Sequence, residues 1–589
     1  MHLNHRIEKV FPCLQWIKGY QYSHFTSDLI AALIVTIMLI PQSLAYALLA
    51  GVPPQLGLYA SILPLMVYAV FGTSRTLSVG PVAIASLMTA AAIQNLGIEN
   101  QVDYVNAAIM LAFLSGVFLV LMGFLKLGFL ANFLSHPVVS GFITASGIII
   151  GLSQFRHIIG IKASGDNLLE LVETLLANIG SANTATIMLG IPVLLFLFWA
   201  RSGLLSLLRY YSAPQKLIKL LPKVAPVLAV ILTCILAYQF NLEASGLALV
   251  GEIPRGLPSF ALPVFSNVSW IDFIVPAIFI SIIGYVESVS IGRTLGAKRR
   301  QKVDSNQELI GLGTANIASA YSGGIPVTGG IGRSIVNFNS GAETPLAGFL
   351  AAIGIALAAM TLTGLLSYLP TATLAATIIV AVSNLIDFSI LKKTWNYSRS
   401  DFTAVLLTIV ITLLAGVEGG VLSGVGISIF LHLYKTTKPH IAEVGQIAGT
   451  EHYRNVYRHK VITYPEIMTL RIDESLYFPN TSYLEDQILQ RIAERKDLKH
   501  IVLMCPAINE IDISALEILE SINQYLSELD IGFHFSEVKG PVMDNLKKSD
   551  FLEHLNGKVF LSQHQAIEAI LQKKYQKAKE KPEFTDFQI

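Results

Sequence analysis

Residues 29–50 read Leu-Ile-Ala-Ala-Leu-Ile-Val-Thr-Ile-Met-Leu-Ile-Pro-Gln-Ser-Leu-Ala-Tyr-Ala-Leu-Leu-Ala, 22 positions without a single charge. An uncharged apolar run of 18 or more residues is long enough to cross a bilayer as a helix. Residues 1–27 before it are polar and mixed, so no cleavable signal is evident and the run reads as a first membrane span. Outward from it, roughly fourteen apolar segments follow one another up to residue 436, several of them short or interrupted by Gly and Pro. Charge density then changes abruptly. The first 440 residues hold 41 Lys, Arg, Asp and Glu, and the last 149 hold 40, or about 9% against about 27%. The second value is that of an ordinary globular domain and the first is not. A soluble enzyme, a secreted disulfide scaffold and a disordered chain are all excluded. Cys13, Cys234 and Cys505 are too few and too scattered for a disulfide framework or a zinc cluster. A net charge of +1 offers no electrostatic footprint for nucleic acid.

The expected organisation is a cytoplasmic N-terminal segment (1–27), a transmembrane transport domain (28–440), a linker (441–454), a small domain (455–575) and a basic, polar tail (576–589). Loop charge tests the span count. Arg201, Arg209, Lys216, Lys219 and Lys223 follow span 6; Lys298, Arg299, Arg300 and Lys302 follow span 8; Lys392, Lys393 and Arg399 follow span 12. Loops after odd-numbered spans hold only Arg156, Lys162 and Arg255, beside acids such as Asp103 and Glu170. An even count fits, with both termini cytoplasmic in a multi-pass protein of the cell (inner) membrane.

The membrane part repeats itself. Span 1 contains Gln42-Ser43-Leu44-Ala45 and reaches Gly51 nine residues after Gln42; span 8 contains Glu287-Ser288-Val289-Ser290 and reaches Gly296 nine residues after Glu287. About forty residues on, each half carries a short Gly- and Pro-interrupted segment, Leu77–Ala83 in the first and Pro326–Ser334 in the second. Repeats of about 28–240 and 271–436, seven spans each, must sit inverted. Paired broken segments in corresponding positions point to a transporter's binding site.

Three residues carry chemistry. Glu287 lies deep in span 8, where an ionisable group normally faces a cavity or a partner. A carboxyl there suits a group that gains and loses a proton during transport. Gln42 is its neutral counterpart in the first repeat. Arg333 follows Gly329-Gly330-Ile331-Gly332 at the start of span 10, and helix N-termini bind anions through free amides and the dipole. A guanidinium adds a fork for an oxyanion. No phosphate-binding loop, metal-ligand spacing or hydrolase elbow is present, so no motor, cofactor, metal or enzyme activity is expected.

These motifs resemble the signature of the SulP anion-transporter (sulfate permease) family. The resemblance rests on Asp28–Ala32, Pro41–Tyr46, Pro54–Ser61, His136–Phe142, Glu287–Lys298 and Thr328–Gly341. It implies a polytopic α-helical fold of two inverted seven-helix repeats, in which a core domain moves against a gate domain by a rocking or elevator motion. It places the substrate between the starts of spans 3 and 10, making Gln42, Tyr46, Pro81, Val82, Ala83, Gly332, Arg333 and Ser334 candidate substrate-binding residues. An acid at the position of Glu287 is associated in the family with cation coupling. Sodium-coupled bicarbonate members carry Thr one turn later, where this chain has Ile291; the departure favours protons. A homodimer in membrane lipid is also implied.

Residues 455–575 alternate strand and helix patterns: strands at Met468–Asp473, His500–Cys505 and Ile531–Phe535, helices at Thr481–Lys496, Ser514–Leu529 and around Met543–Lys548. This small α/β domain resembles a STAS domain, cytoplasmic and open to a protein partner. The resemblance, which extends to the anti-sigma-factor antagonists, implies that Asp512-Ile513-Ser514 lies at their phosphorylatable loop, making Ser514 a regulatory candidate. It also reads as a helix N-cap, with Glu517 completing a capping box. Lys573, Lys574, Lys577 and Lys579 begin the basic tail.

The function expected is secondary uptake of an inorganic oxyanion, sulfate first, by proton symport. Bicarbonate or C4-dicarboxylate uptake coupled to sodium or protons is the alternative, and an anion sensor signalling through the STAS domain a more distant one.

Overall fold

The computed structural model describes residues 8, 10–98, 100–132, 135–165, 167–210, 215–258, 260 and 269–576. The chain divides into two compact units, Met1–Ile429 and Phe430–Ile589.

The first unit is helical. Six described helices are long and apolar enough to cross a membrane: Tyr22–Leu49, Gln101–Phe124, Pro137–Ile159, Thr184–Arg201, Trp270–Lys298 and Arg399–Val417. Between them run shorter apolar helices, among them Gln55–Phe71, Ala83–Gln94, Ala225–Gln239, Leu346–Thr361 and Thr371–Val382. The last helical stretch, Arg399–Thr437, is broken at Gly416, whose φ of +78° suits glycine alone. That break separates the thirteenth and fourteenth segments.

The order of elements runs twice through the unit. Each half has a long helix, a second helix, a two-residue strand and a half-helix before its remaining helices. The strands β1 (Val79–Gly80) and β2 (Thr328–Gly329) pair antiparallel, Val79 opposite Gly329 and Gly80 opposite Thr328. Equivalent segments that meet antiparallel are what an inverted repeat produces. Elsewhere the halves pack through small residues. A Cβ on Gly116 would meet the Gly313 carbonyl at 2.7 Å, and one on Gly313 the Gly116 carbonyl at 2.8 Å, so the helices touch backbone to backbone.

Two fully buried carboxylates tie loops to helix starts across the repeats. Asp28 accepts hydrogen bonds from the Glu343 and Thr344 N–H groups (2.7 and 3.1 Å) and from the Thr344 and Tyr20 hydroxyls (2.6 and 3.1 Å). Glu308 accepts from the Thr73 N–H and hydroxyl (both 2.6 Å), the Ser74 N–H (3.0 Å) and the Tyr68 hydroxyl (2.8 Å). A buried carboxylate with four donors is satisfied; its loops are correspondingly fixed.

The second unit is a six-stranded sheet with helices on both faces. β3 (Ile441–Gln446), β4 (Tyr453–Asn455), β5 (Ile467–Ile472), β6 (His500–Met504), β7 (Gly532–Ser536) and β8 (Val559–Phe560) stand in the order β4-β3-β5-β6-β7-β8. β3 runs antiparallel to both neighbours, and β5 to β8 are parallel. Met468, Leu470, Ile501, Leu503, Phe533 and Phe535 bury one face under Leu484, Leu519, Ile522 and Leu526 of the helices Thr481–Glu494 and Ile513–Glu528. Val502 and Met504 bury the other face against Ala566, Ile567 and Ile570.

Two sequence expectations are corrected. Residues 441–454 are no linker, since they form β3 and open β4; Glu443 breaks the apolar pattern there because Arg495 pairs with it through two 2.8 Å hydrogen bonds. Ser514 is not the cap of the helix Ile513–Glu528; it lies in the first turn. The cap is Asp512, whose carboxylate accepts the Ala515 N–H at 2.8 Å and the Phe478 N–H at 2.9 Å, joining two loops as well. The tail beyond Gln576 and the Lys573 and Lys574 side chains lie outside the described residues. Asp512→Ala in the full chain should therefore cost about 1–2 kcal/mol, while Ser514→Ala should cost little. Chemical denaturation of the two variants followed by tyrosine fluorescence checks the ordering.

Candidate functional site

The two half-helices, Ala83–Gln94 and Ile331–Asn339, each begin just past one of the paired strands. Val82 and Gly330 are extended, and their carbonyls accept the first helical hydrogen bonds, from Ser86 and Ser334 at 3.0 Å each. No side chain caps either start. The first-turn amides are thus left without intrahelical partners, and the dipole ends are positive. Residues 82–84 and 330–333 line one cavity of about 980 Å³.

Side chains from neighbouring helices hold the strands in place. The Ser288 and Thr328 hydroxyls lie 2.7 Å apart, each 2.6 Å from the Gly284 carbonyl, and Ser288 Oγ accepts the Gly329 N–H at 2.8 Å. The Asn316 amide brackets Val327, accepting its N–H at 2.9 Å and donating to its carbonyl at 2.8 Å. Sequence reasoning used Ser288 only to mark the repeat and passed over Asn316; a polar side chain amid Gly and Ala in a span was the available signal.

Arg333 lies in the first turn of its half-helix and is 3% exposed. Its guanidinium donates to the Pro81 carbonyl through Nη1 and to the Thr328 carbonyl through Nη2 at 3.5 Å. Its Nε has no partner among the described residues. Glycine makes room for it, since a Cβ on Gly330 would stand 2.9–3.1 Å from the guanidinium. Glu287, Gln42, Tyr46, Val82, Ala83 and Gly332 line the same cavity as Arg333. Glu287 is 7% exposed, and its carboxyl forms no hydrogen bond or ion pair among the described residues. Pro81 and Ser334 stand behind the lining. Pro81 precedes the half-helix instead of starting it and offers its carbonyl to Arg333, while Ser334 Oγ accepts the Ser78 N–H at 3.0 Å. Arg201 and Arg293 also line the cavity and were not foreseen.

Residues 25–408, well over half of the chain, match the model of the sulfate permease family. The chain belongs to that family. A STAS domain model matches residues 459–566. Among relatives of this sulfate permease family member, "Sulfate transporter 4.1, chloroplastic" of Arabidopsis thaliana is 36% identical over 97% of this chain and 84% of its own length. "High affinity sulfate transporter 2" of Stylosanthes hamata is 29% identical over 95% of this chain and 86% of its own. In fold, the chain is similar to murine Solute Carrier 26 family member A9 in the inward-facing state (TM-score 0.87, 21% identity, 96% of this chain and 95% of that one). It is also similar to the transmembrane domain of a cyanobacterial bicarbonate transporter, BicA (TM-score 0.58, 22% identity, 69% of this chain and 99% of that one). The family is one of membrane transporters, so the chain is a polytopic transporter with a STAS domain and not an enzyme.

Proposed function

We propose that the protein is a secondary active transporter that takes up sulfate together with protons. The observation that carries this reading is the buried Arg333, its Nε unpartnered, set between two uncapped half-helix starts on a cavity it shares with Glu287. A desolvated cation that forms no ion pair among the described residues is costly, and a bound oxyanion compensates it. A tetrahedral oxyanion has acceptors enough for both the guanidinium and the backbone amides. The names of the plant relatives support sulfate as the anion. Coupling follows from energetics. Each negative charge brought in against 100 mV costs about 2.3 kcal/mol, so a divalent anion needs cations with it. Ile291, one turn after Glu287, offers no oxygen to sodium, which supports the proton. The half-helices and the strands that join them form the moving core in this reading. The protein is then a cell-membrane homodimer with both termini cytoplasmic.

Radiolabelled sulfate uptake into proteoliposomes, with a pH or a sodium gradient imposed in turn, tests it. Accumulation should follow the pH gradient alone; counterflow against bicarbonate and C4-dicarboxylates decides the anion. Arg333→Ala should weaken sulfate binding at least tenfold, about 1.4 kcal/mol, by calorimetry on folded protein. Arg333→Lys should recover only part, because it keeps the charge and loses the fork.

A further inference from the structure

The short helix Ser389–Tyr397 joins the apolar helix Thr371–Val382 to the helix that starts at Arg399. It is neither a span nor a plain loop. Ile390 and Thr394 bury one face. The opposite face carries Phe388, Lys392 and Trp395 at helical spacing, and Arg399, which opens the next helix past the extended Ser398, extends the stripe by stacking on Trp395. The aromatic residues there are open: Phe388 is 54% exposed, Trp395 49% and neighbouring Tyr397 91%. The Arg399 guanidinium lies 3.5 Å from the centre of the Trp395 ring, and Phe402 meets the same ring edge-on at 4.7 Å. Stacking of this kind orients a cation while leaving its edge free to bind. Amphipathic rings beside basic residues, at the ends of two membrane helices, match the headgroup region of a bilayer. Two acids, Asp387 and Asp401, flank the stripe and are outnumbered by the three cations Lys392, Lys393 and Arg399. Asp387 accepts the Ser389 N–H at 2.8 Å, and the hydroxyl and N–H of Ser389 hold its carboxyl below the ordinary range; Asp401 belongs to the first turn of the next helix.

We propose that the Phe388–Arg399 stripe is a docking surface for anionic phospholipid headgroups, by which the lipid sets the rate of transport. The link to transport is structural. The residues leading into this helix, Asn384, Leu385 and Asp387, line the cavity that holds Arg333, and the Thr144 hydroxyl accepts the Asp387 N–H at 3.1 Å. A lipid that fixes the stripe therefore restrains one wall of that cavity.

The test uses the full chain in bilayers of phosphatidylcholine with either spin-labelled phosphatidylglycerol or spin-labelled phosphatidylcholine as the probe. Wild-type protein should hold the anionic label with a several-fold preference. Lys392→Gln, Lys393→Gln and Arg399→Gln together should lower that preference at least threefold, and the three single charge-reversals to Glu each in part. Transport should rise with phosphatidylglycerol content in the wild type and lose that rise in the triple variant. The label measurement needs no substrate, so it stands even if the sulfate reading falls. An unchanged lipid preference in the triple and single variants, or none in the wild type, overturns the proposal.

Discussion

Glu287→Gln is expected to leave sulfate exchange across a vesicle membrane intact while abolishing accumulation driven by a pH difference. Glu287 lines the same cavity as Arg333, and its carboxyl has no hydrogen bond or ion pair among the described residues. An ionised Glu287 in that low-dielectric space competes with the anion for the field of the guanidinium. Protonation removes the competitor, so sulfate affinity in the wild type should rise as pH falls and decline as pH rises. Gln imitates the neutral state at every pH, and the variant's affinity should be high and independent of pH. Parallel exchange and gradient-driven uptake assays separate binding from coupling. Proton-driven accumulation that persists in Glu287→Gln would place the coupling group elsewhere.

Glu308→Ala should have the largest effect on stability. It removes the acceptor of four hydrogen bonds and leaves the Thr73 and Ser74 amides and the buried Tyr68 hydroxyl without partners. Each orphaned buried donor costs about 1–3 kcal/mol, and with relaxation the total should reach roughly 3 kcal/mol or more. The freed loop leads directly into β1 and the first half-helix, so sulfate binding should weaken along with stability. Glu308→Gln keeps one carbonyl oxygen and should recover most of both. Thermal unfolding in detergent, read beside sulfate calorimetry, distinguishes this positioning residue from one that affects folding alone. Equal melting temperatures for wild type and Glu308→Ala would refute the assignment.

The spans were legible because an apolar run of the right length has few other uses, and the broken pair at 77–83 and 326–334 because Gly and Pro interrupt a pattern that is otherwise unbroken. Arg333 and Glu287 were legible as rare charges in apolar surroundings. What holds them was not. Asp28 meets Thr344 across 316 positions, and Ser288 meets Thr328 across 40; nothing local marks which polar side chain will find which. Ser334 and Arg333 are adjacent in sequence, yet a one-residue step along a helix turns one to the cavity and the other to Ser78. The cap of the STAS helix was ambiguous for the opposite reason: Asp512 and Ser514 are both good caps, and the bonds from Ala515 and, across the loops, from Phe478 single out Asp512. β3 was missed because its alternation is cut by Glu443, whose partner Arg495 lies 52 residues on.

That strand has a practical consequence for anyone wishing to study the C-terminal unit in solution. β3 is an interior strand, wedged between β4 and β5, though it comes first in the chain. A fragment cut at residue 455 keeps the whole of the family-matched region, 459–566, yet discards the strand that covers the β5 edge. Ile467 to Ile472 would then offer its open backbone groups to any other chain in the tube, the usual opening for edge-to-edge association. Precipitation of such a fragment would report a missing neighbour and say nothing about whether the unit folds by itself. A cut a few residues before Ile441 would keep the sheet whole.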